Sequence, residues 1–119
     1  MLIVSLLPSS VFAQEVRATP SDHGSVTVGG YTYYFSTYVQ TLNGWATGSS
    51  SGPEVMNITL YGITQSGIWV ENKGSGQGSL RVDVYPPNFG DNMPPENFLD
   101  YTKAYCNADG HAVSLEAEP

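Results

Sequence analysis

Residues 31–40 read Tyr-Thr-Tyr-Tyr-Phe-Ser-Thr-Tyr-Val-Gln, and they predict a β-strand more clearly than any other part of the chain. Aromatic and β-branched residues, which are enriched in strands, dominate the stretch. Successive side chains of a strand point to opposite faces, so Tyr33 and Phe35 share one face while Tyr34 and Tyr38 share the other. The stretch therefore predicts a strand with one face in a core and one face that mixes tyrosines with polar side chains.

Five other segments have the same character and are separated by turn-forming residues. They span residues 25–28, 54–63, 68–71, 80–85 and 112–116. Residues 14–24 read as an extended leader that ends in a turn, and residues 41–53 and 72–78 read as loops because they are rich in Gly, Ser and Asn. The alternation predicts a buried set and an exposed set. The buried set is Ile58, Leu60, Leu80, Val82 and Val84, and the exposed set is Thr59, Arg81 and Asp83.

In residues 95–106 the apolar and aromatic side chains recur at a different interval from those of the predicted strands. Phe98, Tyr101 or Thr102, Tyr105 and Cys106 recur at intervals typical of a helix. Pro95 is tolerated in a first helical turn, and an acidic residue next to it favours that end of the helix dipole. We expect one short helix here.

Length and composition indicate a single small domain. The chain has 119 residues, which leaves room for one domain of ordinary size. Charged residues make up 13%, whereas roughly 25% is typical. The chain also has 13 Gly and 8 Pro, and 12% of its residues are aromatic. We therefore expect a mainly β protein, a single antiparallel β-sandwich or barrel of about six to seven short strands over residues 14–119, with the short helix near residues 95–106.

Residues 1–13 are uncharged and contain the strongly apolar run Leu-Ile-Val-Ser-Leu-Leu at 2–7. Small or aliphatic residues before Gln14 suit cleavage by a signal peptidase, although no basic residue precedes the apolar run. We expect a signal peptide or, alternatively, a retained apolar strand. Either way, the expected location is secreted, periplasmic or at the cell surface, with no membrane insertion after the signal is removed.

The charge balance argues against several partners. The formal net charge is −7, and the four basic residues are scattered along the chain. Nucleic acids and anionic lipids require clustered Lys and Arg, so neither is an expected partner. Cys106 is the single cysteine, which excludes an intrachain disulfide. We expect it to be a buried thiol.

Two short segments resemble catalytic or phosphate-binding motifs, but the residues that follow them do not fit those motifs. The Gly-Ser-Ser-Ser-Gly run at 48–52 formally matches a nucleophile elbow, but Pro53 and a predicted strand follow it where that motif needs a helix. The Gly-rich run at 74–78 lacks the Lys of a phosphate loop and also leads into a strand.

His23 and His111 lie far apart, with no second ligand at zinc spacing. We therefore expect a protein without enzymatic activity, cofactor or metal ion.

The candidate ligand-facing residues are aromatic: Tyr34, Tyr38, Trp45 and Trp69. Flat rings beside hydroxyl and amide groups can stack on the C–H faces of sugars while their neighbours bond to sugar hydroxyls. The alternative is that these rings only form cross-strand pairs within the sheets.

Two classes of function fit this sequence. The first is an exported, non-enzymatic structural or assembly subunit, such as a fibre, pilus or coat protein, in which unpaired sheet edges join neighbouring copies or another surface protein. The second is a secreted or periplasmic binding module that recognises glycans, or another secreted protein, through exposed aromatic residues.

Overall fold

A computed structural model describes residues 19–90 and 93–118. Within this part of the chain, eight strands and one short 3-10 turn make up the regular structure. The elements are β1 (Ser21–Val28), β2 (Tyr31–Val39), β3 (Gly44–Ser49), β4 (Met56–Thr64), β5 (Trp69–Gly76), β6 (Ser79–Val84), the 3-10 turn (Pro95–Asn97), β7 (Leu99–Ala108) and β8 (His111–Ala117). The prediction for residues 1–13 lies outside the described residues. No helix among the described residues is both long and apolar enough to span a membrane.

The strands form two antiparallel sheets of four strands each. The first sheet has the order β1-β2-β3-β6, and the second has the order β5-β4-β7-β8. Their inward faces enclose one core, so the fold is a small β-sandwich. The mainly β, antiparallel prediction is confirmed, with eight strands rather than six to seven.

The inner faces of both sheets follow the predicted alternation. Ile58 and Leu60 on β4, and Val82 and Val84 on β6, are at most 3% exposed. Leu80 is half-buried and packs against the same core. The polar set alternates with these residues: Arg81 is exposed, and Thr59 and Asp83 are half-buried on the outer faces. The predicted strand register is confirmed, since a shift of one residue would have reversed every burial.

The helix expected near residues 95–106 is wrong. Only Pro95–Asn97 forms a turn of 3-10 helix, and Leu99–Ala108 is β7, which lies between β4 and β8 in the second sheet. The inward side chains of β7 are small. Thr102, Ala104, Cys106 and Ala108 are all at most 1% exposed, at a spacing of two. The segment forms a strand because its backbone pairs with β4 on one edge and with β8 on the other, and this pairing decides its structure despite the helical spacing of its aromatic residues.

The expected leader and the two expected loops are partly strands. β1 begins at Ser21, inside the expected leader, β3 lies within residues 41–53, and β5 continues to Gly76. The glycines of these segments allow close packing instead of turning the chain. A Cβ at Gly74 would lie 2.8 Å from Val82 Cγ2, and one at Gly48 would lie 3.0 Å from Met56 Sδ. Glycine inside a strand here marks the close approach of neighbouring groups.

One end of the core is held by two buried hydroxyls. Thr37 Oγ1 on β2 lies 3.0 Å from Thr102 Oγ1 on β7, so a hydrogen bond crosses between the two sheets. Thr37 Oγ1 also lies 3.2 Å from the Trp45 carbonyl oxygen, and Thr102 Oγ1 lies 3.3 Å from the Tyr38 carbonyl oxygen. Each hydroxyl has one proton, so one threonine donates to the other, which in turn donates to its own carbonyl partner. Both hydroxyls are therefore satisfied, as burial of a polar group requires. Gly44 packs directly against the Thr102 methyl group.

Cys106 confirms the expectation of a buried thiol. Its side chain is 1% exposed in the inner face of β7. Burial raises the pKa of this thiol to about 12. The thiol is therefore neutral over the physiological range, whereas a reactive cysteine needs a lowered pKa.

Candidate functional site

The four aromatic residues singled out in the sequence are divided between the two outer faces of the sandwich. Tyr34, Tyr38 and Trp45 lie on the outer face of the first sheet, and Trp69 lies on the second sheet. Trp69 therefore does not extend the row formed by Tyr38 and Trp45. The two faces have to be considered as separate surfaces.

On the first sheet, the faces of the Trp45 ring are covered by its neighbours. Tyr38 is paired with Trp45 in the sheet, and the two rings stack with centroids 5.0 Å apart and an angle of 18°. From the neighbouring strand on the other side, the Arg81 guanidinium lies 4.9 Å from the centre of the Trp45 ring. Asp83 fixes that guanidinium through two hydrogen bonds, of 2.9 and 3.0 Å. This arrangement has the form of a cross-strand ladder, which leaves little ring surface for a ligand.

Tyr34 is set apart from the ladder. Its side chain is 60% exposed, and its cross-strand neighbours are Ser25 and Ser49. It is thus a single exposed ring among small hydroxyl side chains. One isolated aromatic residue is ordinary for a protein surface.

The outer face of the second sheet carries a group of aromatic residues with open ring surface. Trp69 is 60% exposed and Tyr105 is 45% exposed. The half-buried ring of Tyr61 lies between them, 5.8 Å from Trp69 at 81° and 5.9 Å from Tyr105 at 85°. An edge-to-face contact covers at most one face of one of the two rings. Much of the flat surface of Trp69 and Tyr105 therefore remains accessible.

These rings line a depression of about 490 Å³, which we call the second-sheet depression. Its volume lies within the range of sites that bind small ligands. The wall combines apolar and polar groups. It is formed by Tyr61, Ile63, Trp69, Tyr101, Lys103, Tyr105 and Glu118.

Sheet register explains why these residues meet. Trp69 is opposite Ile63, which is opposite Tyr101, so one row runs across β5, β4 and β7. The next row along places Tyr61 opposite Lys103. All of these side chains share the outward parity of their strands, and so they converge on one face.

Lys103 supplies a fixed positive charge at this site. Its Nζ lies 3.3 Å from Glu116 Oε2 and 5.2 Å from the centre of the Tyr105 ring. Hydrogen bonds to Tyr105 and to Glu116 raise the pKa of Lys103, so the ammonium group stays charged. An ammonium group has three donors, which allows one more bond to a ligand.

Tyr101 and Glu118 complete the polar wall. Burial, and then the nearby charge of Glu116, raise the pKa of Tyr101. Glu116 also accepts a hydrogen bond from this hydroxyl, which leaves the Tyr101 oxygen as an acceptor for a ligand. The Glu118 side chain is exposed and offers carboxylate oxygens as acceptors. The depression therefore combines stacking surfaces with donors and acceptors.

Of the residues that line this depression, the sequence predicts only Trp69 as ligand-facing. Tyr101 and Tyr105 fall within the expected helix, and the sequence analysis does not single out Tyr61. Tyr101, Lys103 and Tyr105 do recur at a spacing of two, which is the signal of a strand face. Only the pairing of β4 with β7 could have added Tyr61 to that face.

Among residues 19–90 and 93–118, no group of three or more His, Cys, Asp or Glu side chains is arranged to hold a metal ion. Comparison with known proteins found no matching family model, no similar curated protein and no similar solved structure. The function therefore has to be argued from the geometry alone.

Proposed function

We propose that this chain is an exported, non-enzymatic binding module that recognises a glycan in the second-sheet depression. The observation that supports this most strongly is the exposed, edge-packed group of Trp69, Tyr61 and Tyr105. Its open ring faces offer stacking surface for the C–H face of a sugar. Two exposed aromatic rings and the half-buried ring between them form an apolar patch on this face, and such patches often mark binding sites.

The polar groups of the wall suit the hydroxyls of a sugar. Lys103 provides a donor, and the Glu118 carboxylate and the Tyr101 hydroxyl oxygen provide acceptors. Ligand sites commonly combine an apolar lining with a few polar groups that fix orientation. The strands behind the depression are paired with their neighbours, which gives the side chains a rigid support.

A glycan array probed with the full chain tests this proposal. We expect binding that is lost in Trp69→Ala, because the most exposed ring is removed. Trp45→Phe is the matched control, since it changes an aromatic residue of the other sheet, and it should bind as the original chain does. Absence of binding to every glycan, or equal binding by Trp69→Ala, would refute the proposal.

A second candidate function is that of an assembly subunit at a cell surface. The observation that favours it is a group of exposed apolar side chains at the end of the first sheet where β3 begins and β6 ends. Leu42 is 46% exposed, Tyr85 is 49% exposed and Phe89 is 54% exposed. Tyr85 and Phe89 contact each other, with centroids 4.9 Å apart. Copies of the chain could bury this group against one another.

Light scattering coupled to size-exclusion chromatography tests the assembly candidate. If the chain assembles through this end, it will elute as dimers or larger species, and Phe89→Ser will be shifted towards the monomer. Tyr34→Ser, which also removes an exposed ring, is the control and should leave the assembly intact. A monomer at all concentrations would eliminate this candidate.

A further inference from the structure

We infer that the second-sheet depression selects uncharged oligosaccharides and rejects acidic ones. The inference rests on the proposed glycan-binding function and adds the class of ligand. It follows from the placement of charges around the depression and from the separation of its two exposed rings.

The carboxylates on this face outnumber the ammonium groups. Each of the two ammonium groups already has a carboxylate partner. Lys103 Nζ lies 3.3 Å from Glu116 Oε2, and the exposed Lys73 Nζ lies 3.7 Å from Glu71 Oε2. Glu118 lines the depression, and among the described residues no Lys or Arg forms a salt bridge with it. The site therefore carries an uncompensated negative charge, within a chain whose formal net charge is −7.

A negative ligand would meet this field at short range. Like charges placed together at a binding surface are unfavourable, and they discriminate between partners more than they change the affinity for the right one. A sugar without a formal charge meets no such repulsion. It can still accept a bond from Lys103 and donate one to Glu118 through its hydroxyls.

The spacing of the exposed rings favours a chain of sugars over a single sugar. Trp69 on β5 is opposite Ile63 of β4, whereas Tyr105 on β7 is opposite Thr59 of β4, so the two exposed rings are separated by the width of β4 and by part of its length. A monosaccharide stacked on Trp69 would leave Tyr105 uncovered. A disaccharide or longer chain can contact both rings and so bury more apolar surface.

An array of matched glycan pairs tests the inference. Each pair consists of a neutral oligosaccharide and the same oligosaccharide carrying a uronic acid or a terminal sialic acid. We expect the neutral member to bind at least about tenfold more tightly, the ratio that corresponds to about 1.4 kcal/mol. In Glu118→Gln this ratio should decrease by several-fold, because the uncompensated charge is gone. Asp109→Asn is the control; it removes one negative charge in the turn between β7 and β8 and should leave the ratio unchanged.

The outcomes separate this inference from the proposal beneath it. Equal or tighter binding of the acidic members, with loss of binding in Trp69→Ala, would overturn the charge selection and leave the glycan-binding function standing. An unchanged ratio in Glu118→Gln would also overturn it. A chain that binds no glycan at all would remove both the function and the inference.

Discussion

At the scale of single residues, Cys106 is the group whose chemistry the fold alters most. The thiol is 1% exposed, and burial raises its pKa from an ordinary value of 9.0 to about 12. Native protein at pH 8 should therefore react with iodoacetamide at least about a hundredfold more slowly than protein unfolded in urea. Mass spectrometry of the alkylated chain measures both rates. Rapid alkylation of the native chain would contradict the buried position of β7.

The same group makes stability depend on alkaline pH. Because the pKa is higher in the folded state, the folded state holds the proton more tightly, and its contribution is fully present below pH 9.0. That contribution is lost as the pH rises from 9.0 towards about 12. The free energy of unfolding, measured with urea, should therefore fall less steeply with pH in Cys106→Ala than in the original chain. If the free energy falls equally steeply in both, Cys106 does not cause the effect.

Gly44 is a second residue whose role can be tested directly. A Cβ at this position would collide with the Thr102 methyl group and would also lie 3.3 Å from the Tyr38 carbonyl oxygen. We expect Gly44→Ala to lower the free energy of unfolding by about 1–3 kcal/mol, the usual cost of overpacking a core. Chemical denaturation measures this change.

The matched control for Gly44 combines it with Thr102→Ser. This second substitution removes the methyl group but keeps the hydroxyl that bonds to Thr37. The double variant should recover part of the stability lost in Gly44→Ala, because the main clash is relieved. A double variant that is less stable than Gly44→Ala would contradict the contact.

At the scale of strands, the flank where β1 meets β8 is closed by a side chain. Asp22 Oδ2 on β1 accepts a hydrogen bond of 3.0 Å from the Glu116 amide on β8. Gly24 lets the two strands approach, since a Cβ there would lie 2.9 Å from Leu115 Cδ2. The Asp22 carboxylate thereby occupies one backbone N–H of the edge strand β8, and an unpaired edge would otherwise template another strand.

Opening this flank should change both stability and association. We expect Asp22→Ala to cost about 1 kcal/mol of unfolding free energy, the usual net value of a hydrogen bond. It should also increase self-association in concentrated solution, as measured by light scattering. Asp22→Asn keeps an oxygen acceptor and should behave more like the original chain. A variant Asp22→Ala that matches the original chain in both measurements would argue against this closure.

The success of strand prediction depended on how strongly a segment's inner face is apolar. Residues 31–40 and the segment around Ile58 carry large apolar side chains at most of their inward positions, and the sequence predicts both as strands. The inner face of β7 uses Thr, Ala and Cys instead, so its alternation was outweighed by the spacing of its aromatic residues. The strand β3 was missed for a related reason, because Gly44 and Gly48 contribute close packing but no apolar side chain.

At the scale of the whole molecule, the candidate site depends on which strands become neighbours. The sequence predicts Trp69 as a ligand-facing residue, but nothing in a single sequence indicates that β5 and β7 flank β4. That arrangement separates Trp69 from Trp45 and joins it to Tyr61 and Tyr105. Residues 69 and 105 are far apart along the chain, and such long-range pairings leave no local signal.

The two tryptophans of the chain provide the most direct test, because one lies on each outer face. The indole N–H signals of Trp45 and Trp69 can be followed by NMR while a neutral oligosaccharide selected from the array is added. We predict that the Trp69 signal shifts in proportion to the bound fraction and that the Trp45 signal stays in place. A shift confined to Trp45, or binding that moves neither signal, would contradict a glycan site in the second-sheet depression.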